Sequence, residues 1–201
     1  MKGSFAFVFA FAVIVGIIDS FGTGPPVRDN PTLCSSLQPL HDFRPNNATG
    51  PPPYMLTAAP VENSTSITVR LEADEDSTFA GFLLVARPQE TTGTDSDDSI
   101  GTFTEIPAGT AALDCFEGDD NAWGHNSNAP KTAVESVWVP PSGTGNGDVL
   151  FRATVVMGPA NTYWMNVDSD VTAYSSAGVL RVSILTICGG LLLGVLTGFR
   201  M

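Results

Sequence analysis

Phe79-Ala-Gly-Phe-Leu-Leu-Val-Ala-Arg87 is the stretch that decides the fold of this chain. It is a short, almost continuous apolar run, rich in branched and aromatic side chains, and polar sequence bounds it on both sides. A run of this length and composition is typical of a central strand in a β-sheet. Gly101-Thr-Phe103 follows after a polar segment and indicates a turn that leads into another strand.

Around this run, apolar and polar residues alternate with the period of two that a half-buried strand requires. In residues 67–72, Ile, Val and Leu alternate with Thr, Arg and Glu. Further predicted strands are Thr110 to Cys115, Thr132 to Val139, Val149 to Met157 and Tyr163 to Val167. Because turn-forming residues separate these strands, we predict an all-β antiparallel sandwich. The proline-rich segment Thr23 to Pro60 is expected to lie over it as an extended N-terminal arm.

The first 22 residues are predicted to be a secretory signal peptide. Lys2 precedes an apolar run from Phe5 to Ile18, and small residues at Ser20 and Gly22 suit cleavage after Gly22. The apolar run is too short for a membrane span, which needs about 20 residues. The mature protein is therefore expected to be extracellular, either secreted or attached to the outer face of the plasma membrane.

Residues 179–201 form a second hydrophobic segment, and two interpretations of it remain open. A glycosylphosphatidylinositol (GPI) signal would use the small residues Ser175-Ser176-Ala177, with Ser175 as the attachment site. A single membrane span fits nearly as well, because Arg181 and Arg200 flank the apolar stretch. Either interpretation places the domain, residues 23–178, at a membrane surface.

The domain is strongly acidic, with 20 acidic against six basic residues between Thr23 and Gly178. This charge disfavours nucleic acid and anionic lipid as partners. The acids cluster at residues 74–76, 95–98 and 117–120, but their spacing matches no calcium loop. We therefore interpret these clusters as solvated turns.

Two cysteines, Cys34 and Cys115, lie in the domain, and in an oxidising compartment they are expected to form a disulfide. Cys188 lies in the C-terminal apolar segment. Asn47-Ala-Thr and Asn63-Ser-Thr are acceptor triplets for N-glycosylation in polar loop sequence, so we expect both asparagines to be modified.

An ordered set of short motifs resembles the reeler domain family. No motif in the set is specific by itself, but their order and spacing cover nearly the whole domain. The set comprises Cys34, Pro39-Leu-His41, Pro52-Pro-Tyr54, Gly81-Phe-Leu-Leu-Val-Ala-Arg87, Ile100-Gly-Thr-Phe103, Cys115, Gly124-His-Asn-Ser-Asn128, Lys131, Val137-Trp-Val-Pro140, Val149-Leu-Phe-Arg-Ala-Thr-Val-Val156 and Tyr163-Trp164. The resemblance implies an immunoglobulin-like sandwich of the kind found in reelin, F-spondin, reductase-like membrane proteins and short insect defence proteins. Gly124 departs from the threonine that is usual in the family.

The resemblance also implies a protein that acts by binding. Trp123, His125 and Lys131 are the candidate ligand-binding residues, with Trp123 placed in a turn. For His125 in its polar turn, the favoured alternative is structural hydrogen bonding to backbone groups. We expect no enzyme activity, no cofactor and no metal site, since His41 and His125 are the two histidines and no nucleophile elbow is present. The expected partner is a microbial surface in defence recognition. The alternative is a cell-surface or extracellular-matrix ligand in adhesion.

Overall fold

The predicted central strand is apolar on both sides because two different partners cover it. In the computed structural model, which describes residues 22–39, 46, 48–89, 98–143, 145–158 and 162–176, this strand is β3, Gly81–Gln89. Phe82, Leu84 and Ala86 face the sandwich core, whereas Leu83 and Val85 pack under the N-terminal arm. Seven consecutive residues of β3 are therefore buried, so the strand lacks the usual alternation.

Strands make up nearly all of the regular secondary structure in the described part of the chain. Its elements are α1 (Thr32–Ser36), β1 (Tyr54–Pro60), β2 (Ile67–Ala73), β3 (Gly81–Gln89), β4 (Thr102–Thr104), β5 (Thr110–Leu113), β6 (Ala122–His125), β7 (Ala133–Val139), β8 (Asn146–Val156), β9 (Tyr163–Asp168) and β10 (Thr172–Ser175). One sheet has the order β1-β2-β7-β4, and the other has the order β10-β8-β3-β6-β5. β9 also pairs with β8. All these pairings are antiparallel, which confirms the predicted sandwich.

The core between the two sheets is built largely from aromatic rings. Trp138 from the first sheet meets Phe151 from the second edge to face, with ring centroids 5.5 Å apart. Phe103 lies 6.3 Å from Phe151 and 6.0 Å from Trp123. Such edge-to-face and offset contacts add about 0.5–1.5 kcal/mol per pair beyond the burial of area.

The arm is attached to the outer face of the second sheet at three points. Cys34 in α1 forms the predicted disulfide with Cys115, at a Cα–Cα distance of 5.6 Å. The buried guanidinium of Arg87 donates from Nη2 to the carbonyl oxygens of Cys34 at 2.6 Å and Ser35 at 2.9 Å. Thr154 Oγ1 donates to Leu37 O at 2.7 Å. The arm thus supplies the second cover that β3 requires.

The predicted signal peptide and the segment 179–201 lie outside the described residues, apart from Gly22. Among the described residues, no helix is long and apolar enough to cross a membrane.

Candidate functional site

Trp123, predicted to lie in a turn and contact a ligand, is instead a core residue of β6. Its side chain is fully buried, at 0% exposure. The indole packs against Phe82 with ring centroids 5.0 Å apart, and Nε1 donates to Thr110 Oγ1 at 3.0 Å. The prediction is therefore wrong, because a ligand at the surface cannot reach this ring.

His125 ends β6 and joins it to the beginning of β3. Its Nδ1 lies 3.1 Å from the backbone nitrogen of Phe82 and 3.0 Å from the backbone oxygen of the same residue. When Nδ1 carries no proton it can accept from the Phe82 N–H, and when it is protonated it can donate to the Phe82 carbonyl oxygen. Either ring tautomer is therefore bonded to the backbone of Phe82. The ring lies over Gly81, where a Cβ atom would come within 2.9 Å of it. The position of His125 thus depends on a glycine on the neighbouring strand.

Lys131 holds a loop to β3 through its ammonium group. Nζ donates to the carbonyl oxygens of Ser127 at 2.6 Å, Ala129 at 2.9 Å and Ala80 at 3.1 Å. Burial lowers the pKa of this amine. The structure therefore brings His125 and Lys131 together at one end of β3, with each of them bonded to backbone.

We expect Lys131→Met to lower the free energy of unfolding by about 1–3 kcal/mol, because three carbonyl oxygens would lose their charged donor. Urea denaturation monitored by tryptophan fluorescence measures the change. Lys131→Arg keeps the charge and is expected to lose less. Unchanged stability in Lys131→Met would show that the side chain is free to contact a ligand instead.

The other predicted site residues fall in different places. Asn63 is exposed in the turn between β1 and β2, and Ser175 is the last residue of β10. Asn47 and His41 lie outside the described residues. Within the ranges that the structure describes, no group of three or more His, Cys, Asp or Glu side chains could hold a metal ion.

Phe116 is the exposed aromatic residue of the described surface, and no sequence pattern singled it out. Its side chain is 54% exposed, and its backbone is left-handed with φ +55°. A bulky side chain in this conformation costs about 1–2 kcal/mol. Strained residues of this kind are concentrated at functional sites. No hydrophobic period marks this position, because Phe116 follows Cys115 directly in an acidic turn.

Residues 114–120, the Phe116 loop, are braced at their base. The side-chain amide of Asn121 accepts from the Cys115 N–H at 2.7 Å and donates to the Cys115 carbonyl at 3.1 Å. Asp120 N–H donates to Asp114 Oδ1 at 2.9 Å, and the disulfide holds Cys115 to the arm. The aromatic ring is thus presented on a backbone whose conformation is already set.

The surroundings of Phe116 are acidic, and an open groove lies beside it. Asp114, Glu117, Asp119 and Asp120 belong to the same loop. The groove, of about 460 Å³, is lined by residues of the loop and by prolines of the arm, and Arg28 is among its lining residues. The surface therefore offers an apolar ring within a mainly negative rim.

Basic side chains elsewhere in the described residues are already engaged in the fold. Arg70 pairs with Glu72 at 2.9 Å and with Glu135 at 3.6 Å, and Arg152 pairs with Asp168 at 2.8 Å. Such pairs reduce the positive charge that an anionic ligand could use.

Comparison with known proteins gives a consistent family match. The Reeler domain family model matches residues 32–178. "Putative defense protein 2" of Antheraea mylitta is 29% identical over 163 residues, which cover 77% of this chain and 91% of the relative. "Putative ferric-chelate reductase 1" of Danio rerio is 28% identical over 178 residues, which cover 88% of this chain and 29% of the relative. The chain therefore spans less than a third of the length of the reductase relative.

Among solved structures, the human F-spondin reeler domain is similar, with a TM-score of 0.45 and 22% identity. The alignment covers 67% of this chain and 92% of the F-spondin chain.

Proposed function

The chain belongs to the reeler domain family, and from this premise we propose that it is an extracellular, non-enzymatic binding module that acts in defence recognition. Reeler domains are extracellular modules in F-spondin and reelin. The defence role is supported by the name of the Antheraea mylitta relative, almost the whole length of which this chain matches. Reductase activity is not proposed, because the match covers 29% of the relative whose name carries it.

The observation that carries the binding proposal is the exposed ring of Phe116 on its braced loop. The buried centres of protein interfaces are enriched in aromatic residues, phenylalanine included, and a preorganised loop loses little entropy on binding. The partner that fits is a protein with an apolar pocket for the ring and a basic rim for the surrounding acids. In defence recognition, this partner would be a surface protein of a microbe.

Adhesion to host cells or matrix is the second candidate function. The observation that favours it is the apolar segment 179–201, which would hold the domain at a cell surface as a GPI signal or a span. The same Phe116 loop would then contact a host protein.

We expect Phe116→Ser to weaken partner binding about tenfold or more, without lowering stability, because the ring is a surface contact. The full chain is expressed in secretory eukaryotic cells, isolated in detergent, and tested for retention on bacteria and on host matrix side by side. Retention on bacteria supports defence, and retention on matrix alone supports adhesion. Weaker retention at high salt is expected for a basic partner.

Met55→Ser is the matched control, because Met55 is 52% exposed and lies on β1, in the other sheet. It should leave binding unchanged. If both substitutions weaken binding equally, or if Phe116→Ser has no effect, the Phe116 loop is not the contact surface. Retention on neither material would contradict both functions.

A further inference from the structure

A groove at one end of the sandwich carries an inference that is independent of the Phe116 loop. Its volume is about 510 Å³, within the range of small-molecule sites. Three segments line it: the turn between β1 and β2, the start of β8 and the end of β10. We call this site the hairpin groove.

Asn63 lies on the wall of the hairpin groove and is well placed for modification. The turn is closed by the Val61 N–H, which donates to Ser66 O at 2.9 Å. Asn63 is exposed at its tip with φ +56°, a conformation that asparagine tolerates better than other residues. The triplet Asn63-Ser64-Thr65 therefore lies in an exposed surface turn, as an N-glycosylation acceptor requires.

The wall opposite the turn has the chemistry that binds a sugar. Tyr174 offers an aromatic ring with a polar tip, and Asp148 and Asn146 supply a carboxylate and an amide. Aromatic faces bury the apolar side of a ring, while the polar groups can pair with its hydroxyls.

The ring of Tyr174 is held in place by its neighbours. It packs edge to face on Trp138, with centroids 5.5 Å apart. It also lies across Gly147, its partner on β8, where a Cβ atom would come within 2.8 Å of the hydroxyl. The ring that would contact the sugar is thus already positioned in the unmodified protein.

We propose that Asn63 carries an N-linked glycan whose innermost N-acetylglucosamine lies in the hairpin groove against Tyr174. The sugar comes from a lipid-linked oligosaccharide pyrophosphate of the secretory pathway: its anomeric carbon bonds to the Asn63 amide nitrogen, which loses a proton, and the lipid pyrophosphate leaves. Covalent attachment at the wall gives the sugar a high effective concentration there, so even a weak contact is populated. β10 is the edge strand of its sheet, and unprotected edges invite pairing with other chains. The seated sugar would pack against the end of this strand and hold it to β8.

Peptide mass mapping of the full chain from secretory eukaryotic cells tests the modification itself. We expect a glycan on Asn63, and Asn63→Gln should remove it. Finding Asn63 unmodified in the secreted protein would overturn the proposal. Asn47→Gln is the matched control, since it changes a second acceptor triplet without altering the hairpin.

Hydrogen exchange of β10 tests the position of the sugar. Trimming the glycan to its innermost N-acetylglucosamine should leave the β10 amides as protected as before. Removing the whole untrimmed glycan with an amidase, or preventing its attachment by Asn63→Gln, should speed their exchange several-fold. Unchanged exchange after complete removal would overturn the seating, and so would loss of protection on trimming alone.

Discussion

Trp123→Ala is expected to lower the free energy of unfolding by about 3–5 kcal/mol, the range for removing a fully buried tryptophan. The indole is 0% exposed and packs on Phe82 and Phe103, one ring from each sheet. Its removal would leave a cavity between the sheets and would deprive Thr110 Oγ1 of the donor that Nε1 provides. Equilibrium denaturation in urea, followed by circular dichroism, measures the loss.

Trp123→Phe is the control, because it keeps most of the packed volume and loses the hydrogen bond. It should cost clearly less than Trp123→Ala. If Trp123→Ala proved as stable as the parent and also lost partner binding, the ring would be a ligand contact and its buried position would be wrong. Any loss of binding in this variant must otherwise be ascribed to unfolding.

The local sequence around Trp123 explains why this core residue was predicted to lie in a turn. The residues before and after it are Asn, Ala, Gly and His, a composition that indicates a turn. β6 has only four residues, too few for alternation to be recognised. It pairs with β3 and β5, and rings from both sheets, Phe82 and Phe103, cover Trp123. These neighbours are set by long-range pairing, so no local pattern reports them.

Other strands were predictable because their burial is reflected in their own sequence patterns. Residues 67–72 alternate because one face of β2 meets the core and the other meets water, and the structure places β2 at Ile67–Ala73. The apolar run at β3 indicated a central strand, and β3 does lie between β8 and β6. The local sequence of β3 does not show that the arm covers the outer face of this strand. Cys34 indicated only that the arm is attached to the sandwich.

Phe116 could not be identified as a surface residue from the sequence. Its exposure depends on a left-handed backbone at that one position and on the side chain of Asn121, which braces the loop from below. Phenylalanine is among the residue types most often buried, so composition alone would have assigned it to the core.

Replacing both Cys34 and Cys115 by Ala is expected to destabilise the domain by about 4–5 kcal/mol. The bond closes a loop with a sequence separation of 81, and the entropy that such a cross-link removes from the unfolded chain corresponds to this figure. Both residues are fully buried in the cluster beneath the arm, and alanine leaves no unsatisfied polar group there. Urea denaturation of the oxidised parent and the double variant measures the difference.

The disulfide also connects stability to the proposed binding surface, because Cys115 is the residue before Phe116. Without it, hydrogen exchange should rise first in the arm and in residues 114–120, while β2 and β7 stay protected. Partner binding should weaken even where the sandwich remains folded, since the loop loses its preorganisation. Thr154→Val, which removes the bond to Leu37 O, loosens the arm at a different point and should leave binding intact. Uniformly faster exchange in both sheets, or undiminished binding by the double variant, would contradict this role for the disulfide.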